Sequence, residues 1–584
     1  MAERLIRAGP ARFHRVSIPW KGVVGVVAGA FVVYLVVVPL LMLVFSSFRA
    51  TGEQLPFEAT TFTLANYERV FTSSLTYRLL WNTFAYGSIA LVLSLGLAVA
   101  FAWFIERTNA PARPVLVLLA VAPIGVPILV EAMAWALLAN PTNGVLNLAL
   151  RAVFGPGGGG PLNIYSLVGM GVVSGLKMVA SAYILVAAVM TRLDPALEEA
   201  SSTSGASAWT TLRRVTGPLL RPAVLAVGIY LATLIVESFE VPAVLGMPER
   251  IFVFSTLIYS AVHTTVGLPN FGLVSSYSAV TVLISGALVY WYHRLAKKQE
   301  RFAVVTGKGY RPRRIVLSRG WQAVFVSAIG LYALLTAVLP FLVLLWASLG
   351  ILYTPLSLSS ATLDSYKYVA QMPDMLRSIW NTVVISAGSA TGTMVLALLI
   401  SWLAIRTRFF AHWLPDRLTI LGVAMPSIVI GLALVFWYIR FPLPIYGSIW
   451  IIMLGSTTRF LAYGARVMNA GYLQIHQELE EASETSGAGF WSTMTRVVLP
   501  LVWPAFIGGW FWVFIHALRD VTIPIMLYTV DNHTVAIRLW NVWMDQGFFN
   551  RGAAIAVPLM LVSVVLSLVL TRRVMMVASE AQSV

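Results

Sequence analysis

Two stretches decide how this chain is read: EEASSTSGASAWTTLRRVTGP, from Glu198 to Pro218, and EEASETSGAGFWSTMTRVVLP, from Glu480 to Pro500. Each is a polar interval between long apolar runs. The second repeats the first at a constant spacing of 282 residues, and the two are far more alike than the sequence on either side of them. A second set of matches lies upstream. Trp81-Asn82-Thr83 recurs as Trp380-Asn381-Thr382 and Tyr67 as Tyr366, both 299 residues apart, while Pro242 recurs as Pro524 at 282. The chain is therefore an internal duplication. The change of 17 between the two offsets is assigned to extra sequence in the first half, in the loop around Gly155 to Pro161. Gly157 to Gly160 reads as an external loop, because no helix follows it directly as a phosphate-binding turn would need.

Composition fixes the solvent of this duplication. Of 584 residues, 58% are hydrophobic and 11% charged, against about 25% charged in soluble domains. Apolar runs of about twenty residues mark a helical membrane protein. Twelve spans are expected, near 22–46, 79–105, 113–139, 164–192, 219–240 and 272–293, then 322–348, 379–405, 413–439, 446–469, 502–525 and 552–571. The net charge of +16 is gathered in short segments between spans, which points to cytoplasmic loops rather than a nucleic-acid surface. Residues 294–320 hold nine Lys or Arg and one acid, Glu300. This linker, the basic N-terminus and the Arg572-Arg573 end all fall on the cytoplasmic side if each half has six spans. The apolar run behind the basic N-terminus is too long for a signal-peptide core and reads as an uncleaved first span. Trp20, Tyr290, Trp291, Tyr292 and Trp321 sit at span ends, where amphipathic rings favour the headgroup layer. An even number of spans per half gives both halves the same orientation about an axis along the membrane normal. Cysteine is absent, which excludes disulfides, thiolate metal sites and cysteine nucleophiles.

The repeated polar intervals follow the fourth span of each half. Asp194-Pro195 supplies an N-cap and first helical residue for the first copy. Glu199 and Glu481 then project from short helices toward basic groups on a partner. Gly205 and Gly487 permit a sharp turn, and Pro218 and Pro500 are placed to open the next span, where a missing N–H costs nothing.

These residues resemble the EAA loop of type I ABC importer permeases, whose pattern is E-A-A-x3-G-x9-I-x-L-P. Glu199, Ala200, Gly205 and Pro218, and likewise Glu481, Ala482, Gly487 and Pro500, keep the pattern. Ser201 and Ser483 depart from it at the third position, Val215 and Val497 replace Ile, and Gly217 stands where Leu499 keeps Leu. The resemblance implies an all-α polytopic fold of two tandem six-helix (MetI-like) permease repeats, residues 1–293 and 321–584, joined by the cytoplasmic linker 294–320. It implies that each loop forms a coupling helix docked on a separate ATP-binding subunit, two copies in all. A periplasmic or lipid-anchored substrate-binding protein would complete a bacterial inner-membrane importer with both termini cytoplasmic. Fused double permeases of this length most resemble ferric iron importers, near relatives of polyamine, thiamine and phosphonate permeases.

Other classes fit less well. No G-x-x-x-x-G-K-[ST] loop occurs, since Gly307-Lys308 is followed by Gly309, so ATP and Mg belong to the partner and no cofactor or metal is expected on this chain. A proton-coupled secondary transporter also has six-plus-six spans. Its commonest family carries a basic glycine-rich loop between spans two and three, where this chain reads ERTNAPARP from Glu106 to Pro114. An intramembrane hydrolase needs paired catalytic groups. His516 and Asp520, four apart, read as a polar pair at a helix end, and no catalytic residue is assigned.

Ionisable groups inside spans cost roughly 2.5–3.5 kcal/mol each on insertion scales, so they have a task. Lys177 lies in the fourth span, and its repeat equivalent is Arg459. Glu131 lies in the third span, Glu237 and Glu240 near the outer end of the fifth, and Arg519 and Asp520 at the matching end of the eleventh. They are read either as a polar lining of the pathway or as structural ion pairs, with Glu131 a partner for Lys177. As a lining, two symmetry-related cations would favour an anion such as a phosphonate, carboxylate or ferric chelate.

Overall fold

The computed structural model describes residues 20–583 except 52–53, 156–161, 192, 194–195, 265–268, 300–314, 351–359, 407–412 and 440–444. The expectations for Asp194-Pro195 and for Gly157 to Gly160 therefore lie outside the described residues. Among the described residues the chain is helical, and the extended pairings are two isolated bridges, Arg49 with Phe62 and Thr108 with Ile315. Nine helices among them are long and apolar enough to cross a membrane, and two further helix pairs pass the same test together. The tenth expected span is the 25-residue helix Ile449–Leu473, which Arg459, Arg466 and Asn469 make more polar than the rest. All twelve elements are thus present, and the protein is a multi-pass membrane protein.

Two of the twelve are not the continuous spans expected. Arg113–Gly125 and Ile128–Leu138 meet at 94°, and Leu414–Ala424 and Ser427–Tyr438 meet at 107°. The cause is local. Val126 (ψ 126°) precedes Pro127, and Met425 (ψ 112°) precedes Pro426. A residue before proline is pushed out of the helical region by the ring, so both helices break there. The two breaks are repeat equivalents, 299 residues apart.

Elsewhere proline is absorbed rather than obeyed. Pro218 and Pro500 do not open the fifth and eleventh spans, which run as Trp209–Glu237 and Trp491–Leu518. Instead a π-helical turn, Leu212–Thr216 or Met494–Val498, precedes each proline. The same device precedes Pro39 (Val33–Val37) and Pro340 (Leu334–Val338). A wider turn relieves the clash of the pyrrolidine ring with the carbonyl one turn back, so the helix continues across it. In the first loop Gly217 serves the same purpose, because a Cβ there would lie 2.8 Å from Leu212 O.

The halves interlock. The first span of the first half packs on the second half, with Tyr34 OH bonded to Tyr438 OH at 2.7 Å and receiving Trp437 Nε1–H at 3.1 Å. The first span of the second half packs on the first, with Phe325 stacked on Phe104 (4.7 Å) and Tyr332 against Phe101 (5.7 Å). One hydrophobic core therefore takes residues from both. The repeated motifs do repeated work. Asn82 donates to Phe252 O at 2.8 Å and Asn381 to Asp531 O at 3.1 Å, each tying a second span to the loop after the fifth span of its half. Tyr67 and Tyr366 hydroxyls bond Ser47 and Ser348 at 2.7 and 2.8 Å.

Candidate functional site

The two repeated polar intervals fold alike. Each begins with an eight-residue helix, Ala196–Thr203 or Glu478–Thr485. Each ends at a glycine with positive φ, +80° at Gly205 and +83° at Gly487. The amide of Ala206 donates to Ser201 O, and that of Ala488 to Ser483 O, both at 3.1 Å. This is the six-to-one bond of a left-handed C-terminal cap, which satisfies carbonyls the helix cannot. The chain then turns into the long fifth or eleventh span.

Ser201 and Ser483, where the motif departs from its usual residue, have a structural use that sequence reasoning missed. Ser201 Oγ bonds Thr211 Oγ1 at 2.9 Å, and Ser483 Oγ bonds Thr493 Oγ1 at 2.9 Å. Each bond closes the loop across its own glycine turn. The signal was present as a Ser and a Thr ten residues apart in both copies. Each helix leaves a partly apolar set of side chains exposed. Ala200 and Ala482 are exposed, Leu197 and Leu479 show half their surface, and Trp209 and Trp491 lie open beside them. Glu199 is half-buried and Glu481 exposed on these helices.

The intramembrane charges form a second constellation. Lys177 pairs with Glu131 at 3.2 Å, the carboxylate being 1% exposed. Its ammonium also donates to Pro123 O at 2.8 Å and to Val126 O. Those carbonyls belong to the break in the third span. Arg519 donates to Ile124 O, between them, at 2.6 Å. A broken helix inside a membrane leaves carbonyls that lipid cannot satisfy, and the negative end of its dipole favours a cation there. That is why two cations sit where the first half is bent.

Arg459 behaves differently from its repeat equivalent. It reaches Asp520 at 2.7 Å and, across the junction of the halves, Glu237 at 3.4 Å. Ser427 donates to Glu237 at 2.5 Å and Thr522 to Glu240 at 3.0 Å, again between halves. Three cations thus stand with four carboxylates, and neither Lys177 nor Arg459 is a free positive charge. The premise that this pair would attract an anion does not hold. His516 and Asp520 do not form the polar pair expected of them. The helix ends at Leu518, so the i,i+4 geometry is lost. His516 Nε2 faces Arg519 at 3.0 Å, while Asp520 takes Arg459.

Beyond the spans, His263 and Asp545 influence one another electrostatically, 282 residues apart in the chain and so at equivalent places in the repeat. Burial pushes the Asp545 carboxyl up, and His263 holds it back. Burial likewise pushes His263 down. Sequence reading singled out neither. Among the described residues, no three His, Asp or Glu side chains are grouped to hold a metal ion.

Comparison with known proteins agrees with this architecture. Residues 394–576 match the family described as binding-protein-dependent transport system inner membrane component. The chain is 24% identical over 488 residues to a putative ferric transport system permease of Haemophilus influenzae, covering 82% of this chain and 75% of that one. It is 25% identical over 384 residues to an Fe(3+)-transport system permease of the same organism, covering 65% and 71%. A putative 2-aminoethylphosphonate transport permease of Salmonella typhimurium is 23% identical over 239 residues, covering 40% and 88%. A bacterial alginate ABC transporter, solved with an alginate-bound periplasmic protein, is 19% identical with a TM-score of 0.36, covering 41% and 85%.

A duplicated helical membrane protein whose second half carries this domain is a permease component of an ABC importer. More particularly, it is a fused double permease with two EAA motifs, and its relatives include ferric and phosphonate permeases.

Proposed function

We propose that this chain forms the translocation path of a ferric iron importer, driven by two copies of a separate ATP-binding subunit and loaded by a substrate-binding protein on the far side of the membrane. The observation that carries the reading is the pair of matched loop helices, each capped at a glycine and each exposing partly apolar side chains beside an EAA glutamate. Two equivalent surfaces suit two copies of one partner. ATP hydrolysis then resides in that partner, and both loop helices face the cytoplasm with the linker. Bare or chelated ferric iron is favoured by relatives that match most of the chain and are named as ferric or Fe(3+) transport permeases. The phosphonate relatives support a second cargo, a small organic anion, over the shorter stretch they match.

The test has two arms. The cognate binding protein is purified and the ligand it retains is identified; iron supports the reading, and a phosphonate replaces it with the second. Reversing Glu199 and Glu481 to Lys together is then expected to abolish uptake and loosen the ATPase subunits while the permease stays folded, because charges at the rim of a docking surface add little to the free protein. Normal substrate-stimulated ATP hydrolysis in that double variant would exclude the docking role.

A further inference from the structure

A buried arginine at the end of each second span has a place in the fold but no task so far. Arg107 and Arg406 are repeat equivalents, 299 residues apart. Arg107 Nη2 donates to Met190 O at 2.6 Å and Leu193 O at 2.9 Å. Arg406 Nη2 donates to Tyr472 O at 3.2 Å and Ile475 O at 2.6 Å. These four carbonyls are themselves equivalent in the repeat and lie at the end of the fourth and tenth spans. Each guanidinium also meets the glutamate just before the EAA motif, Arg107 with Glu198 at 3.7 Å and Arg406 with Glu480 at 2.8 Å. All four side chains are at most 14% exposed.

One rigid fork therefore joins three elements: the end of the second span, the end of the fourth, and the first turn of the loop helix. A guanidinium suits this because its planar donors can cap orphan helix carbonyls and pair a carboxylate at once. Buried as it is, the pair resists being pulled apart, since either partner alone would be an uncompensated charge. A displaced loop helix has to carry both spans with it.

The two clamps differ in their surroundings. Glu198 also accepts from Thr216 Oγ1 at 2.7 Å, where the second half has Val498. Among the described residues, the end of the inter-half linker is stitched to the first clamp, with Ile315 N donating to Arg107 O at 2.9 Å and Asn109 N to Ile315 O at 3.0 Å. Leu317 N adds a bond to Asn109 Oδ1 at 2.9 Å.

The geometry points to Arg107 and Arg406 as positioning residues that pass the movement of each ATPase-docked loop helix to the second and fourth spans of its half, the first clamp being the stiffer. The inference rests on the docking proposed above. Its test is the double variant Glu198→Gln and Glu480→Gln, which keeps side-chain shape and leaves Glu199 and Glu481 intact. The complex is reconstituted in vesicles with its ATPase subunits and the cognate binding protein loaded with ferric iron. Iron moved per ATP hydrolysed is measured together with ATPase retention and thermal midpoint. ATPase retention is expected near wild type and the midpoint lower, because each arginine loses its charge partner, with the transport-to-hydrolysis ratio lowered about tenfold, the size of a typical coupling between sites. Arg406→Lys, which keeps the charge and one carbonyl bond, should fall between. An unchanged ratio in the assembled double variant overturns the proposal. So does a fall in midpoint and assembly with the ratio unchanged, which would leave the arginines holding the fold alone. A wild-type complex without substrate-driven hydrolysis would overturn the importer reading itself, whereas a coupled wild type beside an equally coupled variant overturns only the clamp.

Discussion

Lys177 shows how a single buried charge acquires its position. Its ammonium answers a carboxylate and two carbonyls exposed by the break before Pro127. Replacing it with Met strands Glu131, which is 1% exposed. Breaking one side of a buried pair costs about 3–5 kcal/mol, so Lys177→Met should lower the thermal midpoint clearly in detergent. Adding Glu131→Gln should recover part of the loss and not all of it, because Pro123 O and Val126 O still lack their donor. A Lys177→Met protein as stable as wild type would return this residue to the pathway reading. The partner Glu131 could be named from sequence. The carbonyls could not, because they became acceptors only when the helix broke.

At the scale of elements, the loop helices depend on a backbone conformation more than on packing. At Gly205 and Gly487 φ is positive, and nothing lies within 4 Å of where a Cβ would stand. Steric room is therefore ample and the constraint is the left-handed conformation itself, which costs an L-residue about 1–2 kcal/mol. Gly205→Val and Gly487→Val should loosen the helix caps, seen as faster hydrogen exchange over residues 196–206 and 478–488. Gly→Asn at the same places should be milder, since Asn tolerates this conformation. Equal exchange in the Val and Asn variants would remove the conformational explanation. Glycine in both copies made this turn readable in advance. The π turns before Pro39, Pro218, Pro340 and Pro500 were not readable, because proline alone says that a helix is disturbed and not whether it breaks, as at Pro127, or widens.

For the whole molecule, the interlocked first spans make the halves one body. A protease site inserted near residue 305 should allow cleavage without separation, and the two fragments should co-purify and unfold in one transition. Fragments that part in mild detergent would show that the contacts of Tyr34 with Tyr438 and of Phe325 with Phe104 contribute little. Orientation is open to an equally direct check in this cysteine-free chain. A cysteine at Tyr310 should react with an impermeant reagent only after the membrane is opened, and one at Phe62 in intact cells. Labelling of the first from outside would reverse the assignment of the linker and of both loop helices.

Sequence by itself determined the solvent, the duplication, the twelve helical elements and the two loops that carry the EAA motif, because apolar run length, a fixed offset and a glycine at a turn are all local signals. It also proposed the Lys177–Glu131 pair. The tertiary structure alone decided that the third and ninth spans are bent, that Arg459 turns to Asp520 and Glu237 instead of copying Lys177, and that each buried arginine at the end of a second span joins a fourth span to a loop helix. Those outcomes depend on which elements meet across distances of tens to hundreds of residues. A buried charge takes whichever partner the packing brings within reach, so Arg107 and Arg406 keep equivalent partners in the two repeats while Lys177 and Arg459 do not.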